Sequence, residues 1–290
     1  MKTLTRVAEM QAAAAGTRAL GRRIGYVPTM GALHEGHLSL VRASRQRADL
    51  TVASVFVNPT QFAPGEDYRG YPSDLGEDSA LLAREGVDIL FAPTVEEIYP
   101  PDFQTYVTVA RLSQPLCGRF RPGHFRGVAT VVLKLINIVS PDVAFIGRKD
   151  AQQSVVIQRL VRDLNLPIEV VVCPIVREPD GLAMSSRNAY LNSEERRAAL
   201  VLYRSLRRAQ ELLLGGERRA QVILDEMQAL VAAEPLARPD YIEAVDAATL
   251  APLERIAGRA LIALAVWIGG ARLIDNLLVE VGGNQLTLEL

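Results

Sequence analysis

Residues 23–173 alternate two kinds of segment: short, nearly continuous apolar runs and longer amphipathic stretches. The runs lie at 23–28, 50–57, 87–91, 143–146 and 168–173. Between them, 34–48, 73–85, 127–139 and 150–164 read as helices. Ser73 is expected to cap the second of these, with Asp74 and Glu77 in its first turn. Strands joined by helices of this length need crossover connections, which build a mainly parallel sheet. The run LTVASVFV at 50–57 agrees, because a parallel sheet is covered on both faces. The expected fold is α/β, a Rossmann-like doubly wound parallel sheet. Ligands of such sheets sit beyond the C-terminal strand ends, where the strand order reverses.

The alternation stops near residue 176. Two helices are expected at 194–214 and 220–233, separated by Gly215 and Gly216, then strands at 240–245, 260–267 and 273–281. Helices followed by strands suggest a second, smaller α+β domain. Pro179, Asp180 and Gly181 favour a turn, so the boundary is placed between domains 1–177 and 178–290. The chain of 290 residues is long enough for two such domains. Its formal net charge of -1 gives no reason to expect nucleic acid or an acidic membrane as partner. No window approaches the roughly 20 apolar residues of a membrane span. Arg and Glu interrupt the Ala-rich N-terminal stretch, so no signal peptide is expected. Cys117 and Cys173 lie far apart, in no metal-like spacing, and read as structural residues in a reducing cytoplasm.

Five stretches carry candidate chemistry. PTMGALHEGHLSL, at 28–40, follows a strand and opens a helix. It holds two of the chain's three histidines, His34 and His37, on one helical face. Gly31 and Gly36 let a ligand approach the backbone, and a helix N-terminus suits a phosphate. A zinc-protease reading fails on spacing, since the histidines are three residues apart rather than four. NPTQF, at 58–62, sets Asn58 and Gln61 at the next strand end, where amides can donate to and accept from a polar substrate. GRFRPGHFRG, at 118–127, gathers Arg119, Arg121, His124 and Arg126, which as a mobile basic loop would screen phosphates. IGRKDAQQ, at 146–153, offers Lys149 as a point charge for phosphate and Asp150 as a helix cap or ribose partner. AMSSRN, at 183–188, brings two serine hydroxyls and Arg187 to a triphosphate tail.

Taken in this order, these stretches resemble a known family. PTMGALHEGH looks like a variant of the HIGH signature of the nucleotidyltransferase superfamily, and MSSRN like its KMSKS-type counterpart. With NPTQF, HFRG, GRKDAQQ and ARLIDN (271–276), the chain resembles the pantothenate synthetase (pantoate–β-alanine ligase) family. The resemblance implies ATP-dependent condensation of pantoate with β-alanine through an acyl adenylate, with Mg²⁺ accompanying ATP, in a cytoplasmic homodimer. It implies that Met30, Gly31, Ala32, Leu33, His34, Glu35, Gly36 and His37 line the ATP site. Gly147, Arg148, Lys149, Asp150, Val176, Met184, Ser185, Ser186 and Arg187 would also hold the nucleotide. His37 would be the general acid, His34 its phosphate partner, and Lys149 a second charge on phosphate. Gln61 would meet both pantoate and β-alanine, and Gln153 pantoate. Asn58, Tyr71 and Arg126 would support the substrates. No protein metal ligand is implied, although Asp74, Glu77 and Asp78 are candidate helpers for Mg²⁺. The family often has Glu where Arg148 stands and an aromatic residue where Ala151 stands, and altered packing is expected there.

Three other readings fit less well. A nucleotidyltransferase ending in a nucleotide conjugate leaves the glutamines near the acyl site unexplained. An aminoacyl-tRNA synthetase-like module would bring a basic RNA-binding domain, and the last hundred residues are not notably basic. A non-catalytic nucleotide binder would have no use for His37, Lys149 and Ser186 together.

Overall fold

A computed structural model describes residues 1–63, 66–282 and 285–290. The chain divides into two compact units. The first comprises Met1–Ser113, Arg121–Arg148 and Val156–Cys173. It carries six strands: β1 (Lys2–Leu4), β2 (Ile24–Thr29), β3 (Leu50–Val55), β4 (Ile89–Phe91), β5 (Val143–Gly147) and β6 (Glu169–Cys173). They form one sheet in the order β1-β4-β3-β2-β5-β6, and every pairing is parallel. The order reverses between β2 and β5, so the crevice of this Rossmann-like sheet lies beyond Thr29 and Gly147.

Side chains of β2 show how both faces are covered. Ile24 and Tyr26 enter one core with Met10, Val128 and Leu135. These come from the helices Val7–Ala19 and His124–Val139. Val27, pointing the other way, enters a second core with Leu40, Val41 and Leu82. Those residues belong to the helices Glu35–Arg47 and Leu75–Arg84. Two dry faces explain why the strands read as continuous apolar runs.

The second unit comprises Gln114–Phe120, Lys149–Val155 and Pro174–Leu290. It is the smaller, α+β part. Its strands β7 (Ala237–Asp246), β8 (Gly258–Ile268), β9 (Ala271–Gly282) and β10 (Gln285–Glu289) form an antiparallel sheet in the order β10-β9-β8-β7. Ile262, Leu264, Val266 and Ile268 of β8 are buried with Leu202, Leu206 and Leu213 of the helix Leu200–Leu214. Ile223, Met227 and Val231 of the helix Ala220–Ala232 complete that core.

Several local expectations need correction. Asp74, not Ser73, caps the helix Leu75–Arg84, its carboxylate accepting from Glu77 N at 2.9 Å. The stretch 194–214 is two helices, Ser193–Ala198 and Leu200–Leu214. Their apolar periodicity runs on across the break at Ala199, which hides it from a pattern reading. Segment 118–127 is not a free loop, because Cys117–Phe120 is helical and the next helix starts at His124. The structure also adds β1, the helix Val7–Ala19 and β10, none of which the sequence pattern predicts. The first two are short or Ala-rich, and β10 is an edge strand of alternating exposure.

Leu264→Ala should lower the unfolding free energy of the second unit by about 2–5 kcal/mol, since it empties a fully buried site. Urea denaturation checks this, and a loss below about 1 kcal/mol would mean the core refills the space.

Candidate active site

The chain leaves β2 at Thr29, whose hydroxyl donates to Ser54 O at 2.7 Å and accepts from Gly31 N at 3.2 Å. It then turns through positive φ at two successive residues, Gly31 (86°) and Ala32 (50°). Such a turn costs backbone energy at Ala32, and something must hold it. Asp78, only 2% exposed, does so. Its two carboxylate oxygens accept from Ala32 N at 3.0 Å and Leu33 N at 2.8 Å. A side chain at position 31 has no room either, as a Cβ there would lie 2.8 Å from Asp78 Oδ2.

This turn delivers His34 as the cap of the helix Glu35–Arg47. Histidine takes the place of the usual Ser or Asp. Its Nδ1 accepts from Gly36 N at 3.1 Å, while His37 Nδ1 accepts from His34 N at 3.4 Å, a reciprocal capping box. The two rings lie 4.1 Å apart. With both Nδ1 atoms accepting, Nε2 is the donor nitrogen of each ring. The Gly36 N–H, an expected phosphate donor, is therefore already bonded to His34. The site's donors become the two histidine rings as much as the helix backbone.

Beyond β3, Pro59–Gln61 forms a single 3-10 turn capped by Asn58. Asn58 is fully committed. Its Nδ2 donates to Gln61 Oε1 at 3.0 Å and Gly127 O at 3.2 Å. Its Oδ1 accepts from Tyr99 OH and Thr60 Oγ1, both at 2.9 Å. Gln61 Nε2 in turn reaches Met30 Sδ at 2.9 Å, linking the second motif to the first. Gly127 permits this packing, because a Cβ there would lie 2.3 Å from Thr60 O.

The basic segment has partners that a reading of charges along the chain does not reveal. Arg121 binds Glu66 through two nitrogens, at 2.7 and 2.5 Å. Burial pushes the Glu66 carboxyl up, but Arg121 and the Ala63 N–H outweigh it and hold the group below its ordinary range. His124 Nδ1 donates to Gln61 O at 2.8 Å, and Arg121 donates to the same carbonyl at 3.3 Å. Arg126 lies exposed, over the Tyr106 ring at 4.8 Å. Tyr71 is nearly buried and meets the Phe62 ring edge-on at 5.9 Å. The expectation of a mobile basic loop gives way, for Arg121 and His124, to braces on the Gln61 backbone.

Gly147 ends β5, and Arg148–Asp150 makes one 3-10 turn. Arg148 is buried. In the second unit, Gln152 is buried, with Oε1 accepting from Cys117 N at 3.0 Å and Nε2 donating to Pro115 O at 2.8 Å. Gln153, its neighbour, is half-buried. Also in that unit, Met184 N donates to Val176 O at 3.0 Å. Ser185 Oγ accepts from Arg187 N at 3.3 Å and caps the turn Ser186–Tyr190. Residues 184–187 are all half-buried. In this way the second unit groups Lys149, Val176 and residues 184–187, while the first groups residues 30–37, Asn58, Gln61 and Gly147.

Among the described residues, no three His, Cys, Asp or Glu side chains group so as to hold a metal ion. Asp74 caps a helix and Asp78 holds the 32–33 backbone, which takes both from the candidate helpers for Mg²⁺. Asp78, Glu66 and Gln152 are the supports that sequence reasoning misses or misassigns. Each binds a segment distant in sequence, so no local pattern marks it.

The family model for pantoate–β-alanine ligase matches residues 2–278. The chain belongs to the pantoate–β-alanine ligase family. It is 56% identical to the pantothenate synthetase of Moorella thermoacetica over 97% of this chain and 99% of that one. The crystal structure of the pantothenate synthetase from Thermus thermophilus superposes with a TM-score of 0.91 at 48% identity, covering 96% of this chain and 99% of that one. A pantoate–β-alanine ligase from Francisella tularensis, complexed with beta-gamma ATP and β-alanine, gives 0.77 at 34% identity, with 95% and 97% covered. As a member of this family the chain is an enzyme, a ligase of pantoate and β-alanine.

The first unit's geometry can be tested at Asp78 and at Gly127. Burial raises the Asp78 carboxyl above its ordinary value, against the pull of the Leu33 and Ala32 N–H groups. A carboxyl raised on folding binds its proton more tightly in the folded chain. Its cost to stability is complete above the folded value and is relieved as pH falls toward about 3.9. Asp78→Asn removes that cost but turns an amide NH₂ toward a peptide N–H. The variant should keep its thermal midpoint at pH 7 yet lose ligase activity by about tenfold or more. As pH falls, the variant's midpoint should drop relative to the parent's, because only the parent is relieved of the Asp78 cost. Activity and midpoint falling in parallel would reduce Asp78 to a packing residue. Gly127→Ala should abolish most activity and lower the midpoint together, and a variant with parental values in both would show that the Thr60 turn can shift freely.

Proposed function

We propose that the chain makes pantothenate in two steps, through a pantoyl adenylate. A pantoate carboxylate oxygen attacks the α-phosphorus of ATP, and the bond to pyrophosphate breaks. The β-alanine amine then attacks the acyl carbon, loses a proton, and AMP leaves. The observation that carries this reading is the paired His34 and His37 cap, held at the switch point of the sheet by Asp78 and joined to Gln61 through Met30.

Adenylation gathers negative charge on the α-phosphate and on the departing pyrophosphate. Preplaced positive ends and N–H donors favour that charge without reorganising. His37 serves as the acid by donating a hydrogen bond from Nε2 to the phosphate oxygens that gain charge, and His34 is its phosphate partner. Met30 to His37, Gly147 to Asp150, Val176 and Met184 to Arg187 serve ATP, with Lys149 on phosphate. Gln61 orients pantoate and β-alanine, and Gln153 holds pantoate. Tyr71 and Arg126 support the substrates directly, whereas Asn58 acts by fixing the Gln61 amide. By sequence segment, residues 1–177 carry the ATP and pantoate motifs up to Val176, and 178–290 carry the MSSRN signature. Mg²⁺ would arrive with ATP and be held mainly by phosphates, since Asp74 and Asp78, two of the three candidate carboxylates, are committed to backbone N–H groups. When bound, it neutralises phosphate charge. The enzyme works in the cytoplasm as a homodimer, a setting consistent with two buried, unpaired cysteines.

Pyrophosphate release from MgATP tests the first step. It should require pantoate, and AMP with pantothenate should appear only once β-alanine is added. Release without pantoate would remove the substrate assignment. His37→Ala should lower the adenylation rate far more than ATP affinity, and equal losses in both would remove its role as acid.

A further inference from the structure

The strand motif ARLIDN, at 271–276, has no part in the steps above, yet two of its side chains reach the nucleotide residues of the second unit. Asp275, on β9, is 2% exposed. Arg177 binds it with both terminal nitrogens, Nη1 to Oδ2 at 2.7 Å and Nη2 to Oδ1 at 3.0 Å. The same Nη1 donates to Gly181 O at 3.0 Å, and the guanidinium lies over the Tyr203 ring at 5.1 Å. Arg177 therefore grips the turn 178–181 from inside. That turn returns the chain so that residue 183 bridges residue 177 and Met184 N meets Val176 O. Asn276, 1% exposed, donates from Nδ2 to Lys149 O at 3.1 Å. Asp275 Oδ1 also accepts from Asn276 N at 2.8 Å, which ties the two contacts together. Lys149, Ser185, Asn188 and Asp275 line one small, water-sized cavity.

We propose that Asp275 and Asn276 are positioning residues. Asp275, through Arg177, sets the turn that presents residues 184–187, while Asn276 fixes the backbone of Lys149. One strand thereby holds two nucleotide-binding segments, distant in sequence, in a single register. An ion pair suits this task better than an apolar contact, because bidentate geometry fixes direction as well as distance. Burial raises the Asp275 carboxyl, while Arg177, the Asn276 N–H and Lys149 pull it down, so the carboxylate belongs to the same electrostatic group as the lysine. The inference rests on the ATP roles proposed above for Lys149 and residues 184–187.

A double-mutant cycle on the full-length enzyme tests it. Asn276→Ala should lower kcat for pantoate-dependent pyrophosphate release by on the order of tenfold to a hundredfold, with the pantoate KM unchanged. In a Lys149→Ala background the same substitution should cost almost nothing, because it acts through Lys149. An equal loss in both backgrounds overturns the proposal. Hydrogen exchange supplies a readout that needs no substrate. Asp275→Asn should speed exchange at the Met184 and Arg187 amides while the β8 amides keep their protection. Unchanged exchange at 184 and 187, or a uniform rise across β8, overturns the Asp275 half. If Asp275→Asn does not fold, Arg177→Lys, which keeps the charge and loses the fork, is measured in the same way. Parental enzyme that fails to release pyrophosphate with pantoate would instead refute the proposed reaction and leave the exchange result to decide the positioning.

Discussion

Two peptide N–H groups, from Ala32 and Leu33, point at one buried carboxylate, Asp78. The backbone that carries them runs through positive φ twice in succession. That path is unfavourable for Ala32, and the two bonds to Asp78 hold it. The position of His34 follows from the turn, and the start of the helix Glu35–Arg47 follows from His34. Gln61 is linked to the same segment through Met30. Much of the first unit's chemistry thus hangs on a charge that no substrate needs to touch.

Side-chain amides do similar work elsewhere. Asn58, Gln152 and Asn276 each bond to backbone atoms of a segment far away in sequence. An amide offers a donor and an acceptor about 2 Å apart, so it fixes orientation as well as distance. Asn58 and Gln152 are bonded at both ends of the amide, which penalises other arrangements. The result is a set of loops whose conformation is set from beneath, leaving their outward side chains available for ligands.

How much of this the sequence discloses depends on the range of the interaction. The five sheet strands at 23–173 that carry the first core are legible because burial on both faces leaves continuous apolar runs. The helix behind His34 is legible because it follows a strand end and glycines. The cap at Asp74 is displaced by one residue in a sequence reading because Ser73 is an equally good capping type. The break at Ala199 is invisible to a periodicity that continues across it. Arg121 reads as part of a mobile, phosphate-screening basic loop because its partner, Glu66, lies 55 positions away. Asp78 reads as a candidate helper for Mg²⁺ for the same reason, its partners lying 45 and 46 positions earlier. Gln61 and Lys149 stand out as candidates from their place at strand ends, but what orients them does not.

Gly127 carries a wider implication. Where the helix His124–Val139 meets the turn Pro59–Gln61, main chain touches main chain. Contacts between side chains can be retuned one methyl group at a time. A main-chain contact has no such intermediate settings, so the separation of Gln61 from that helix is quantised by the backbone itself. Variation in the acid or amine accepted by related enzymes would then have to be written in the side chains that project beside this junction, never in the junction.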